Sequence, residues 1–131
     1  MGRALFKTRD IEGAIENYRR AIEIDPQYSE AFFHLGGALC ESGDMKGAIE
    51  NCHNAIEIDP QCLQAIFFLG FLLGSTGDFE EAKKNFRRAG EIDPGNKEIP
   101  LVMGEVYSNW GDIKGAIECY RQAVEIDPYE V

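Results

Sequence analysis

Two histidines and four cysteines are the residues of this chain best suited to chemistry. Cys52 and His53 are adjacent, but neighbours on a helix point about 100° apart, so they cannot act as nucleophile and base without outside help. Cys40, Cys62 and His34 add further metal-ligand types, yet no pair among these residues has the spacing of a zinc finger. The sequence therefore predicts neither a nucleophilic centre nor a metal site.

Glutamates and glycines are the other residue types here that could build an active site. Gly70, Gly74 and Gly77 lack the following Lys-Ser/Thr and the preceding strand of a phosphate loop. Four glutamates recur at one regular interval, which places them on a solvated face rather than in a shielded acid–base pair: Glu23, Glu57, Glu91 and Glu125. We therefore predict that the chain is not an enzyme and needs no cofactor.

The net charge of -10 limits the classes of partner. A strongly acidic surface repels the phosphates of nucleic acids and of anionic lipids. The most apolar run, residues 65–74, is about half as long as the ~20 residues of a membrane-spanning helix. Hydrophobic residues make up 44% of the chain and charged residues 27%, as in an ordinary folded domain. We expect a protein partner, and neither nucleic-acid binding nor membrane insertion.

The cysteines also indicate a compartment. Cys40, Cys52, Cys62 and Cys119 form no CxxC pair. Residues 1–7 contain no apolar stretch of the kind found in a secretory signal. Because disulfides are typical of secreted chains, the sequence predicts free thiols and a cytoplasmic location.

One constant period organises the whole chain. An Ile-Asp-Pro triplet recurs at equal intervals, starting at Ile24, Ile58, Ile92 and Ile126. Aspartates recur with the same period at Asp10, Asp44, Asp78 and Asp112, and the last three follow Gly43, Gly77 and Gly111. Two alanine columns keep the same phase: Ala14, Ala48, Ala82 and Ala116, and Ala21, Ala55, Ala89 and Ala123. The chain is therefore an array of one repeated unit.

Each period has the pattern of two helices. In the second period, Phe32, Leu35 and Leu39 form an apolar stripe on the first helix. The Gly-Asp step predicts a turn, with glycine in the left-handed conformation and aspartate capping the second helix, and Asp78 with Glu81 suggests a capping box. Proline ends the second helix. The alanine columns predict close helix crossings.

These residues resemble the tetratricopeptide repeat, whose unit has the same length, and the resemblance covers essentially the whole chain. The family's Leu-Gly step matches Leu35-Gly36 and Leu69-Gly70. Its second-helix aromatic matches Tyr18, Phe86 and Tyr120, and Cys52 is the exception. The resemblance implies an all-α, right-handed solenoid of about three and a half repeats: a truncated first repeat 1–28, then 29–62, 63–96 and an uncapped fourth repeat 97–131.

Three positions depart from the pattern. Pro100 replaces a bulky residue and is expected to push Ile99 out of helical geometry. Gly90 stands where other repeats have Ile or Val, and is expected to weaken its helix by ~1 kcal/mol. Lys83 interrupts a column of isoleucines.

The resemblance also implies a binding surface, because the first helices of such repeats line a concave groove. The groove residues that it implies are Arg3, Phe6, Lys7, Glu30, Phe33, Gly37, Glu41, Gln64, Phe67, Phe71, Gly74, Ser75, Glu98, Leu101, Glu105 and Asn109. On the third repeat, Ile66, Leu69 and Leu73 already form a core stripe, so Phe67 and Phe71 point elsewhere. Such a groove suits a peptide with apolar anchors and basic flanks. The alternative is that these rings pack against neighbouring repeats or a second copy.

Three roles fit these observations. The first is a scaffold that binds a peptide or protein segment in the groove. The second is a structural solenoid that self-associates through its uncapped ends, because an uncovered terminal repeat exposes an apolar face. The third is a regulatory module of a longer protein. The clamp by which part of the family holds a terminal carboxylate needs Lys, Arg and Asn, and the matching positions lack this set: Phe33, His34, Gly37, Gln64, Phe67, Phe68, Glu98 and Val102.

Overall fold

Seven helices form the part of the chain that the computed structural model describes, residues 2–127, with side chains described from residue 10 onward. They are α1 (Gly2–Ile24), α2 (Ser29–Glu41), α3 (Met45–Ile58), α4 (Leu63–Ser75), α5 (Phe79–Ile92), α6 (Glu98–Asn109) and α7 (Ile113–Ile126). Helices α2 and α3, α4 and α5, and α6 and α7 form hairpins, and each hairpin contacts the next. The predicted all-α solenoid is confirmed, and these residues contain no strand.

Glycine makes the turn inside each hairpin. Gly43, Gly77 and Gly111 have φ angles of 94°, 93° and 86°, and no other residue in the described part of the chain has a positive φ. A residue with a Cβ rarely adopts this conformation, so this kind of turn forms where glycine stands.

Aspartate follows each of these glycines and begins the second helix of the hairpin. Two of the carboxylates cap their helix by accepting a backbone hydrogen bond, Asp44 from Gly47 at 2.8 Å and Asp112 from Gly115 at 2.9 Å. The side chain of Asp78 forms no such bond, so the capping box predicted with Glu81 is wrong. A Cβ at Gly47 would lie 2.5 Å from an oxygen of Asp44, so glycine leaves room for the carboxylate in this position.

The first period contains one helix instead of the predicted two. Helix α1 runs without interruption from Gly2 to Ile24. Arg9 stands at the position that Gly43 and Gly77 occupy in later periods. Because the left-handed conformation is costly for arginine, the chain makes no turn there and continues as helix.

Pro100 lies inside the first turn of α6. Ile99 belongs to this helix, which begins at Glu98, so the expectation that Pro100 forces Ile99 out of helical geometry is wrong. The first four N–H groups of a helix have no acceptor within it, and proline there sacrifices no hydrogen bond. Ile99 is instead buried in the core.

Small residues allow the helices of a hairpin to cross closely, as predicted. Ala48, Ala82 and Ala116 are all buried. A Cβ at Gly70 would lie 2.9 Å from the ring of Phe86, so any side chain there would push α4 and α5 apart.

The core is shared between hairpins rather than enclosed by any one of them. One buried cluster joins α2, α3 and α4 around Leu35, Cys52 and Leu69, and another extends from Ile66 through α5 and α6 to α7. On α4, Leu72 is fully buried, although the predicted stripe had Leu73, which is only half-buried. Helix α4 has packed neighbours on both sides, so it buries more than one stripe. Between residues 2 and 127, none of the helices has the length and hydropathy required to cross a bilayer.

Candidate functional site

The first helices α2, α4 and α6 together line an open groove of about 700 Å³. We call it the first-helix groove. Its lining residues are Phe33, Gly37, Cys40, Glu41, Leu63, Gln64, Phe67, Phe68, Phe71, Asn96, Glu98, Ile99 and Val102. The floor is therefore largely apolar, and three successive hairpins contribute to it.

Four phenylalanines dominate the groove, and they differ in how firmly they are held. Phe33 meets Phe68 edge to face, with ring centroids 5.9 Å apart. Phe67 packs against the buried ring of Phe86 at 5.3 Å, so it belongs partly to the core. Phe71 is 46% exposed. An exposed ring beside others fixed by packing is a good contact point for an apolar ligand.

The charged residues that line the groove are both acidic. Glu41 lies on α2 and Glu98 begins α6, and both are exposed. Gln64 and Asn96 add neutral polar groups. The groove therefore favours positive charge beside an apolar contact.

A smaller cavity of about 330 Å³ continues the groove toward α1. The two cavities share Phe33, Gly37 and Glu41. In the extension, Tyr18 stacks on His34 with ring centroids 5.5 Å apart. The aromatic surface thus extends from α1 across α2 to α4.

Seven of the sequence-predicted groove residues line the first-helix groove: Phe33, Gly37, Glu41, Gln64, Phe67, Phe71 and Glu98. Six others do not line it: Glu30, Gly74, Ser75, Leu101, Glu105 and Asn109. The space beside Gly74 is filled by the indole of Trp110. The side chains of Arg3, Phe6 and Lys7 lie outside the described residues.

Phe68 and Val102 also line the groove, although they were expected only as positions matching the carboxylate clamp and not among the predicted groove residues. They share one column of the repeat with His34, which lines the extension. The column was visible in the sequence, but nothing local showed that it faces the groove. Helix α2 begins at Ser29 and α4 one full period later at Leu63, whereas α6 begins at Glu98, one residue later than the period predicts.

Comparison with protein families identifies the repeat. Residues 2–39 match a family model described as TPR repeat, and residues 75–129 match a second model described as tetratricopeptide repeat. The two matches together span more than half of the chain. The chain belongs to the tetratricopeptide-repeat family.

Solved structures of MamA have the same fold as this tetratricopeptide-repeat chain. One described as the crystal structure of MamA has a TM-score of 0.78 at 25% identity, covering 98% of this chain and 75% of the other. A second, the crystal structure of MamA protein, has a TM-score of 0.81 at 23% identity, covering 99% of this chain and 73% of the other. Among curated proteins, no sequence matches this chain significantly.

Family and fold together identify a protein-interaction scaffold. In residues 10–127, no group of His, Cys, Asp and Glu side chains is placed to hold a metal ion. Cys52 is fully buried and His53 is exposed, so the pair does not form a shared site.

Proposed function

We propose that this tetratricopeptide-repeat chain binds a peptide segment of a partner protein in the first-helix groove. The supporting observation is the apolar floor of Phe33, Phe67, Phe68 and Phe71, which three successive hairpins build. The ring of Phe71 is half-exposed to water. A ligand that covers it removes apolar surface from water, and this stabilises the complex.

The charge of the groove indicates which peptides suit it. Glu41 and Glu98 lie at its margin, and the whole chain has a net charge of -10. We expect a segment with apolar anchors and Lys or Arg flanks, because such charges are attracted to the groove from a distance. Four free cysteines support a reducing, cytoplasmic setting for this interaction.

Substitution of Phe71 tests this function with little effect on the fold. Peptides are first selected from a random phage-displayed library on the wild-type chain, and their affinities are then measured for Phe71→Ser by fluorescence anisotropy. We expect about a tenfold loss of affinity, because the exposed ring of Phe71 contacts the apolar anchor of the peptide. Phe67 is unsuitable for this test because its ring packs on Phe86.

Tyr28→Ser is the matched control. Tyr28 is 45% exposed, like Phe71 at 46%, and lines no part of the groove. Tyr28→Ser should bind the selected peptides as wild type does. Equal affinities of Phe71→Ser and wild type would refute the groove as the binding site.

Self-association is a second candidate function, and the exposed face of α7 favours it. Ile113, Ile117, Tyr120 and Val124 form one stripe, and their exposures are 56%, 48%, 37% and 41%. The corresponding residues of α3 are covered by α4. A second copy of the chain could cover the α7 stripe in the same way.

Ile117→Lys tests the second candidate, since Lys83 is the natural residue at the equivalent position of α5. Sedimentation velocity over a range of concentrations should show wild type becoming larger and Ile117→Lys remaining monomeric. A wild-type chain that stays monomeric at the highest concentration would exclude self-association.

A further inference from the structure

A second cavity lies on the side of the solenoid formed by the second helices. Helices α5 and α7 are its walls and α6 is its base, and its volume is about 740 Å³. We call it the α5–α7 cleft. Phe86, Met103 and Tyr107 give it an apolar base. It shares only Asn96 and Ile99 with the lining of the first-helix groove, so it is a separate surface.

A similar cavity one repeat earlier in the chain can be compared with this cleft. A cavity of about 430 Å³ lies between α3 and α5, and each of its lining residues has a counterpart one period later in the α5–α7 cleft. The two clefts are thus repeats of one surface. The later cleft is the larger one.

Gly90 is one difference between the two clefts. Its counterpart in the smaller cleft is Ile56, which lines that cavity. A Cβ built at Gly90 would have no neighbouring atom within 4 Å. The α5–α7 cleft is therefore open beside Gly90, where the smaller cleft has the side chain of Ile56.

The two clefts also differ in charge. The lining of the smaller cleft includes two acids and two bases: Asp78, Glu81, Lys84 and Arg88. In the α5–α7 cleft, Glu118 replaces Lys84 and Gln122 replaces Arg88.

The remaining charges make the α5–α7 cleft acidic. Lys83 pairs with Asp112 at 3.2 Å and also lies 5.4 Å from the ring centre of Tyr107, so its charge is neutralised within the protein. The other charged lining residues are one base and four acids: Arg87, Glu91, Asp93, Glu118 and Glu125. Their net charge is −3, which attracts a basic segment and repels another copy of this acidic chain.

We propose that the α5–α7 cleft is a second peptide-binding site. Its ligand is a basic segment that inserts one aliphatic side chain, of leucine or isoleucine size, into the space beside Gly90. The apolar base of the cleft contacts this anchor, and the acidic walls contact Lys or Arg on either side of it. This site does not depend on binding in the first-helix groove.

Gly90→Ile tests the site, because the new side chain would occupy the space proposed for the anchor of the peptide. Isoleucine is the residue at the equivalent position of α3, and a Cβ at Gly90 would meet no other atom within 4 Å. The probe is a fluorescein-labelled peptide with one leucine between runs of lysine, measured by anisotropy. Wild type and Gly90→Ala should bind it equally, and Gly90→Ile should lose about tenfold or more, because the anchor's space is occupied.

Two further comparisons separate anchor binding from simple charge attraction. The same peptide with glycine in place of leucine should bind wild type about tenfold more weakly. Glu118→Lys, which copies Lys84 of the smaller cleft, should also weaken binding of the leucine peptide. Phe71→Ser should leave it unchanged, which distinguishes this site from the first-helix groove.

Methionine methyl NMR locates the peptide directly. Met103 lines the α5–α7 cleft, whereas Met45 lies on α3 outside it. The methyl signal of Met103 should shift on peptide addition and that of Met45 should not. Failure of wild type to bind the leucine peptide, equal binding by Gly90→Ile, or equal binding of the leucine and glycine peptides would overturn the proposal.

Discussion

Cys52 is a packing residue, although cysteine is chemically the most reactive residue type in this chain. It is fully buried, in a column where other repeats have an aromatic ring such as Phe86. Burial, followed by the nearby thiols of Cys40 and Cys62, raises the pKa of Cys52 to about 12. A thiol with this pKa is protonated at neutral pH, and the protonated form is neither a nucleophile nor a metal ligand.

Thiol labelling checks this conclusion residue by residue. After a short exposure of the folded chain to N-ethylmaleimide at neutral pH, peptide mapping should find Cys40 and Cys62 modified and Cys52 almost unmodified. Cys40 and Cys62 are half-buried, whereas Cys52 is fully enclosed.

The same labelling in denaturing guanidinium is the control. All four cysteines should then react at similar rates, because burial no longer distinguishes them. Labelling of Cys52 as fast as Cys40 in the folded chain would contradict its structural role.

Helix α5 is the element that differs most from its counterparts. Lys83 stands where α3 has Ile49, and Gly90 stands where α3 has Ile56. In α5, Lys83 forms an ion pair with Asp112, and the position of Gly90 is open. Neither residue supplies the apolar side chain that α3 has at the same position. Helices α5 and α6 touch more sparsely than α3 and α4. Lys83 and Gly90 both line the α5–α7 cleft.

Capping aspartates should differ in their effect on stability from one helix to the next. Asp44→Ala removes the carboxylate that accepts from Gly47 and should lower the free energy of unfolding by about 1 kcal/mol. Asp78→Ala removes no such bond and should cost clearly less. Urea titrations followed by circular dichroism measure both.

Gly77→Ala is a positive control for these titrations. Gly77 has a φ of 93°, so any Cβ there strains the turn and should lower stability. Equal losses for Asp44→Ala and Asp78→Ala would contradict the difference in capping.

Across the whole molecule, stability combines a shared core with an unfavourable net charge. No hairpin encloses its own apolar side chains, so each depends on its neighbours. The charge of -10 acts against this packing through mutual repulsion. The ion pairs of the described residues lie at least partly in solvent and contribute little.

Moderate salt should therefore stabilise the chain. Raising ionic strength from about 0.01 M to about 0.15 M shortens the screening length from about 30 Å to about 8 Å. The repulsion among acids weakens more than the few ion pairs do, so the thermal midpoint should rise by a few degrees. Differential scanning calorimetry at several salt concentrations measures this, and a falling midpoint would show that ion pairs outweigh repulsion.

The sequence by itself determined the repeat and the turns of the last three hairpins. These features are local: glycine at Gly43 is needed for a positive φ, and proline after Asp59 prevents the helix from continuing. Each signal also occurs three or four times in phase, so one irregular period does not obscure it. The helix break expected in the first period does not occur, because Arg9 stands where later periods have glycine. This difference was visible in the sequence.

Only the tertiary structure decided which side chains share a surface. Phe67 packs on Phe86, Val102 lines the first-helix groove in place of Leu101, and the space at Gly90 remains open. Each of these outcomes depends on the distance and rotation between helices of different hairpins. That geometry results from the packing of many side chains far apart in the sequence, and no single period contains it.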